Sequence, residues 1–251
     1  MKANSIVSVL ALGATALAAP PHKHHPTTIV AGVEVIDTPI VRDARHLISK
    51  FPDFLYFHCM RTWLYGAAVI NTNETLKHEV DLEAHALGTI LHDLGWDRTP
   101  DSPWISHDNR FEVDGALGAL KFIKDHKTTK KDWSDARLER VYDGISLHGT
   151  IGIHPYKNVD SRWITASIGY DGVNTVPEDV PEDKYKSIIA EFPTDEFQKG
   201  AVETFTWLAK TKPEASYNNF IQDFGTAFVH GFNATGHRQF DRITRGYVRE
   251  A

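Results

Sequence analysis

The sequence predicts an all-α single domain, and three observations carry that prediction. From Asp37 onward, apolar residues recur at three- and four-residue steps, the spacing of one buried helix face. No alternating apolar–polar run reaches strand length, and no internal repeat is found. Prolines stand where helices start or stop, as at Pro39, Pro52, Pro181 and Pro213. At 251 residues, of which 41% are hydrophobic, the chain can bury a substantial core in one domain.

Taken in order, residues 1–19 read as a secretory signal peptide. Lys2 gives the positive region, Ile6 to Leu12 the apolar one, and Ala16-Leu17-Ala18 the cleavage signal. The apolar run is too short for a comfortable membrane span. The expected localisation is secreted or within the secretory pathway. The sequons Asn73-Glu74-Thr75 and Asn233-Ala234-Thr235 fit such a route. Residues 20–36 read as a linker, and His22, His24 and His25 in PPHKHHPTT as part of a mobile leader.

The domain is expected over 37–251. Thr38-Pro39 opens its first helix, with Ile40, Ala44, Leu47 and Ile48 on the buried face. Asp53 caps a second through FLYFHCMRTWLYGAAVI. The third is LEAHALGTILHDLGWD, Leu82 to Asp97, closed by Gly95. A loop from Asp97 to Asn109 precedes helices over Phe111 to His126 and Asp135 to Leu147. After the turn HGTIGIHP, a short helix runs from Arg162 to Tyr170 and reaches Asp171-Gly172. Pro181, Thr194 and Pro213 each begin a further helix, with Ile188, Ile189, Trp207, Phe220, Phe224 and Phe228 as core anchors.

Composition narrows the function classes. A net charge of -6 carries no basic footprint, so no nucleic-acid partner is expected. The single cysteine, Cys59, rules out an internal disulfide and a thiolate cluster, and reads as a buried thiol. Aromatic residues at an oligomer interface look the same as core in the sequence, so the oligomeric state is left open.

Four residues stand out for chemistry. His58 sits inside an otherwise aromatic helix, and His92 and Asp93 end a buried one. A neutral imidazole and a carboxylate side by side in a core are costly unless compensated, and a divalent ion takes nitrogen and oxygen ligands together. Asp171 follows on a later helix. Two His and two Asp would leave positions for water, as a catalytic site does. Singly, each has a plainer reading: His58 a satisfied core histidine, Asp171 a turn residue before Gly172. The order H…HD…D across successive helices is what joins them. His85 lies seven residues before His92 on nearly the same face, where it would support a metal ligand from behind, line the pocket, or simply pack against a neighbouring helix. Arg61 and Tyr65 follow His58 on the same helix side, to orient a carboxylate or the substrate. The plainer alternative for Arg61 is a pair with Glu112 or Asp114. His148 and His154 are further candidates.

The chain resembles the HD-domain metalloenzymes, and within them the fungal cyanamide hydratase type. The resemblance rests on FHCMRTWLYG, ILHDLGWD, RFEVDGA, ISLHGT and SIGYDGV and covers roughly Asp37 to the C-terminus. It implies a single HD-domain helical bundle with His58, His92, Asp93 and Asp171 on the metal. Zinc is the family's usual ion, with Fe2+ or Mn2+ as alternatives. The resemblance also places His148 toward the substrate. The expected activity is that of a metal-dependent hydro-lyase adding water to the carbon–nitrogen triple bond of a small substrate, cyanamide or a related nitrile or isocyanide. Asp93 would accept a proton and His148 donate one, in a pocket among Trp63, Trp96 and Phe111. The alternative is an HD-type phosphohydrolase acting on a nucleotide or phosphate ester, for which Arg61, Arg110 and Lys121 are the available cations.

Overall fold

The structure, a computed structural model, describes residues 25–128, 132–171 and 177–247. The expected signal peptide, with His22 and His24 of the leader, lies outside the described residues. Among these residues the fold is all-α: twelve α-helices and one two-stranded hairpin. No helix among them is long and apolar enough to cross a membrane.

The hairpin corrects the expected linker over 20–36. Strand β1, Thr27–Val30, pairs antiparallel with β2, Val33–Ile36. Ala31 (φ 45°) and Gly32 (φ 74°) make its two-residue turn, both left-handed as a type I′ hairpin requires. Val33, Val35 and Ile36 are buried, and Lys184 Nζ donates to the Gly32 carbonyl (3.0 Å). The folded unit therefore begins before Asp37. Strands of four residues are too short to show a convincing alternation in sequence.

The helices follow as α1 Pro39–Ile48, α2 Asp53–Asn71, α3 Glu74–Glu79 and α4 Leu82–Ile90. Then come α5 Phe111–Asp125, α6 Asp135–Ser146, α7 Val159–Gly169, α8 Glu182–Glu191, α9 Phe197–Thr211, α10 Pro213–Ser216, α11 Ile221–Phe228 and α12 Gln239–Ile243. Pro52, rather than Asp53, occupies the cap position of α2. Helix α3 buries no residue and so left no apolar pattern to read; Asn73 caps it by accepting from the Leu76 amide.

Helix α4 is the centre of the bundle. Glu83 through Ile90 are all buried, and α1, α2, α6 and α7 pack around it. A helix apolar on every side belongs inside. The C-terminal anchors fare differently. Ile188 is buried and Ile189, Trp207 and Phe224 are half-buried, but Phe220 and Phe228 are exposed, because α11 turns only Ile221 and Gly225 inward.

Candidate metal centre

The expected helix from Leu82 through Gly95 breaks in the middle, and the break builds the site. Helix α4 stops at Ile90, and a 3₁₀ turn, Leu94–Trp96, starts after Asp93. His92 causes part of this. Its Nδ1 lies 2.7 Å from the Thr89 carbonyl, the acceptor that the Asp93 amide would use in a continuing helix. Free of helical spacing, the adjacent side chains converge: His92 Nε2 is 3.1 Å from Asp93 Oδ2. Helix α5 locks the turn from outside. A Cβ at Gly115 would overlap the His92 carbonyl oxygen, and one at Gly95 the Phe111 carbonyl oxygen. This is the part RFEVDGA plays.

His58 of α2 completes the group. Its Nε2 is 3.1 Å from His92 Nε2 and 3.4 Å from Asp93 Oδ2, and all three residues are buried. The hydrogen bonds behind the rings fix their tautomers. His58 Nδ1 donates to Asp171 Oδ2 (2.7 Å), His92 Nδ1 to the Thr89 carbonyl, and His148 Nδ1 to the Ile145 carbonyl (2.6 Å). Each neutral ring then presents a bare Nε2 toward Asp93, with His148 Nε2 3.7 Å from Asp93 Oδ1. Neither Asp93 oxygen accepts a hydrogen bond from the described residues.

Lone pairs converging on a buried carboxylate call for a cation. The electrostatics show Asp93 drawing positive charge toward itself, a proton on His58 when no ion is bound. Burial opposes charge on His58, but Asp171 and Asp93 outweigh it and raise its pKa. Burial also opposes the Asp93 charge, yet His92, His58 and His148 hold its pKa below the usual carboxylate range. The three donor–donor separations of 3.1, 3.1 and 3.4 Å match the edges of a tetrahedron, about 3.3 Å for zinc bonds of about 2.0–2.1 Å. His58, His92 and Asp93 are thus a set whose ligand atoms fit one ion.

Asp171, expected as the fourth ligand, stands elsewhere. Arg61 grips it with Nε on Oδ1 (2.8 Å) and Nη2 on Oδ2 (2.7 Å), and Oδ2 also takes the His58 Nδ1 proton. It lies behind the His58 ring and orients it, as carboxylates do for metal-bound histidines. Burial raises the Asp171 pKa, but the bonds from His58 and Arg61 prevail and lower it. The same grip corrects the plainer reading of Arg61. It pairs with neither Glu112, which takes Arg110, nor Asp114, which takes Lys212 (2.7 Å). Arg61 Nη1 also donates to the Pro193 carbonyl (2.6 Å), tying α2 to the chain before α9.

The remaining candidates separate cleanly. Tyr65 stacks on Tyr185, and His85 Nε2 meets Ser167 Oγ (2.9 Å), so the packed reading describes His85. His154 sits in a separate 3₁₀ turn, His154–Tyr156. Trp63 packs under the Arg45 guanidinium, on the α1 side. Cys59 is a buried thiol as expected, and its Sγ lies 4.0 Å from His92 Nδ1. Burial pushes its thiol pKa up, which keeps it protonated.

Trp96 does belong to the site, stacked parallel to His58 at 5.8 Å. Phe197, which sequence reasoning missed, stacks on His58 at 4.3 Å, and Phe111 meets His148 edge-on at 5.4 Å. Phe197 opens α9, far along the chain, and nothing local marks it.

No protein-family model matches this chain, and no curated protein matches it.

Proposed function

We propose that the protein is a metal-dependent hydratase that adds water across the carbon–nitrogen triple bond of a small uncharged substrate, cyanamide or a close relative. The observation that carries this is the convergence of three bare imidazole nitrogens on an unpartnered buried carboxylate inside an aromatic wall. His58 and His92 would hold the ion through Nε2 and Asp93 through Oδ2. When bound, a zinc-like ion lowers the pKa of water and polarises the nitrile nitrogen.

The residues around it manage the proton. His148 has its Nδ1 proton committed to the Ile145 carbonyl, so its Nε2 must take a proton before it can give one. Burial lowers its pKa against the pull of Asp93, so it is neutral and ready as a base. The expected donor therefore acts first as acceptor. His148 Nε2 takes a proton from water as oxygen bonds to the nitrile carbon, then returns it to the substrate nitrogen. Asp93 Oδ1 steadies the transient imidazolium from 3.7 Å away. Cyanamide gives isourea by this route, which tautomerises to urea. Asp171 and Arg61 hold the His58 ring still throughout.

A phosphohydrolase needs cations facing the substrate. Arg61 is engaged with Asp171, Arg110 with Glu112 and Lys121 with Asp125, which weighs against that alternative. The deciding assay incubates zinc-, iron(II)- or manganese-loaded protein with cyanamide and, separately, with a generic phosphate ester. Urea release, lost in His92→Ala, is the expected result. Phosphate release without urea refutes the hydratase reading.

A further inference from the structure

Trp96 carries a feature that the reaction above leaves unused. A buried tryptophan normally pairs its indole N–H. Trp96 is 5% exposed, yet its Nε1 meets no acceptor among the described residues. Leaving such a donor without a partner is costly. The ring lies parallel to His58 at 5.8 Å and is fixed by Phe205, edge-on at 4.9 Å, and by Phe111 at 6.0 Å. It is therefore held rigidly beside the metal-ligand set. Of the wall rings Trp96, Phe111 and Phe197, this one alone has a polar hydrogen to offer. The lone pairs nearby do not claim it: the Nε2 atoms of His58, His92 and His148 turn toward Asp93.

We propose that the Trp96 N–H is reserved for the substrate and donates to its acceptor atom, making Trp96 a specificity-determining residue. This rests on the hydratase reading and names the chemistry it selects: a small, linear, uncharged molecule with a hydrogen-bond acceptor at its end. As water adds to a triple bond, electron density builds on the terminal nitrogen. A fixed donor in an aromatic wall stabilises that atom more in the transition state than in the free substrate. A purely apolar isostere of the same length would leave the indole unsatisfied and bind poorly.

The test uses azide, a linear ligand with acceptor atoms at both ends, and the metal-loaded full chain. In 15N-labelled protein the Trp96 indole resonance is identified by its loss in Trp96→Phe, which keeps the stacking ring and removes the donor. On azide addition, a downfield shift of this resonance, larger than that of any other indole, is expected. Trp96→Phe should bind metal as wild type does, melt no lower, and lose azide affinity by tenfold or more. Azide binding, seen in the cobalt(II) spectrum, with an unmoved Trp96 resonance and unchanged affinity in Trp96→Phe overturns the proposal. The azide readouts do not use turnover, so failure to hydrate cyanamide defeats the hydratase reading and the substrate class drawn from it, while the azide result still decides whether the Trp96 N–H receives a ligand. Conversely, urea production at the wild-type rate by Trp96→Phe defeats the donor role alone.

Discussion

The buried acids of this protein fall into two groups. Glu83 is paired with Arg137, Glu112 with Arg110, Asp114 with Lys212, Asp160 with Arg140 and Asp171 with Arg61. Each has a lysine or arginine beside it, brought from a distant part of the chain in every case but Glu112, whose Arg110 caps the same helix. Among the described residues Asp93 has none, only the ring nitrogens of three histidines. The first group is what a folded core requires of carboxylates, since an unpaired buried charge is strongly destabilising. The exception marks the place where the fold keeps room for a charge that is not its own. The buried histidines divide in the same way. His85 is satisfied by Ser167, whereas His58, His92 and His148 each leave Nε2 without a fixed proton.

The contrast can be broken most forcefully from the paired side. Arg61→Met strands Asp171 and two backbone carbonyls that Arg61 serves. It should cost about 3–5 kcal/mol of stability, roughly 10 °C in melting temperature for a chain of this size. Calorimetry of the metal-free protein reads this directly. A variant that melts with wild type would mean that Asp171 needs no partner, and the division into two groups fails.

A smaller effect separates the histidines. Burial lowers the His85 pKa to about 4, while the unfolded chain takes up that proton near 6.5. The unfolded state thus binds more protons between those values, and stability from this residue is complete above about pH 6.5 and lost as pH falls toward 4. The loss is on the order of 3 kcal/mol. His85→Gln should flatten this part of the stability–pH curve in chemical denaturation. Coincident acid transitions in the two proteins would assign the proton to another group.

The smallest change in the metal-free chain is expected at the exception itself. Asp93→Asn removes both the cost of a buried charge and its attraction to His58, His92 and His148, and because these oppose each other stability should move by about 1 kcal/mol or less. The metal response should vanish. In wild type, an ion at a thousandfold excess over its Kd adds about 4 kcal/mol, and in the variant it adds almost nothing. A severe loss of metal-free stability in Asp93→Asn would place Asp93 with the structural acids and remove the reason for seeking an ion there.

Residue pattern alone determined the all-α class, most helix positions and the burial of the His92-Asp93 stretch. Apolar spacing and proline placement are local properties, and local physics reads them. It also drew His58, His92, Asp93 and Asp171 together as candidates, because buried imidazoles and carboxylates need a compensating partner wherever they lie; His148 was only a further candidate, turned toward the substrate by the resemblance. Helix α3 and the Thr27–Ile36 hairpin escaped, one for lack of a buried face and the other for shortness. What the tertiary structure decided was who pairs with whom. Whether Asp171 faces an ion or Arg61, whether His85 meets Ser167, and whether Phe197 covers His58 depend on side chains brought together from separate helices. The break after Ile90, which turns two adjacent residues toward one point, was fixed by a side chain capturing the Thr89 carbonyl and by α5 packed against the turn. The composition of a site can be legible along a chain, but its directions exist only once the helices meet.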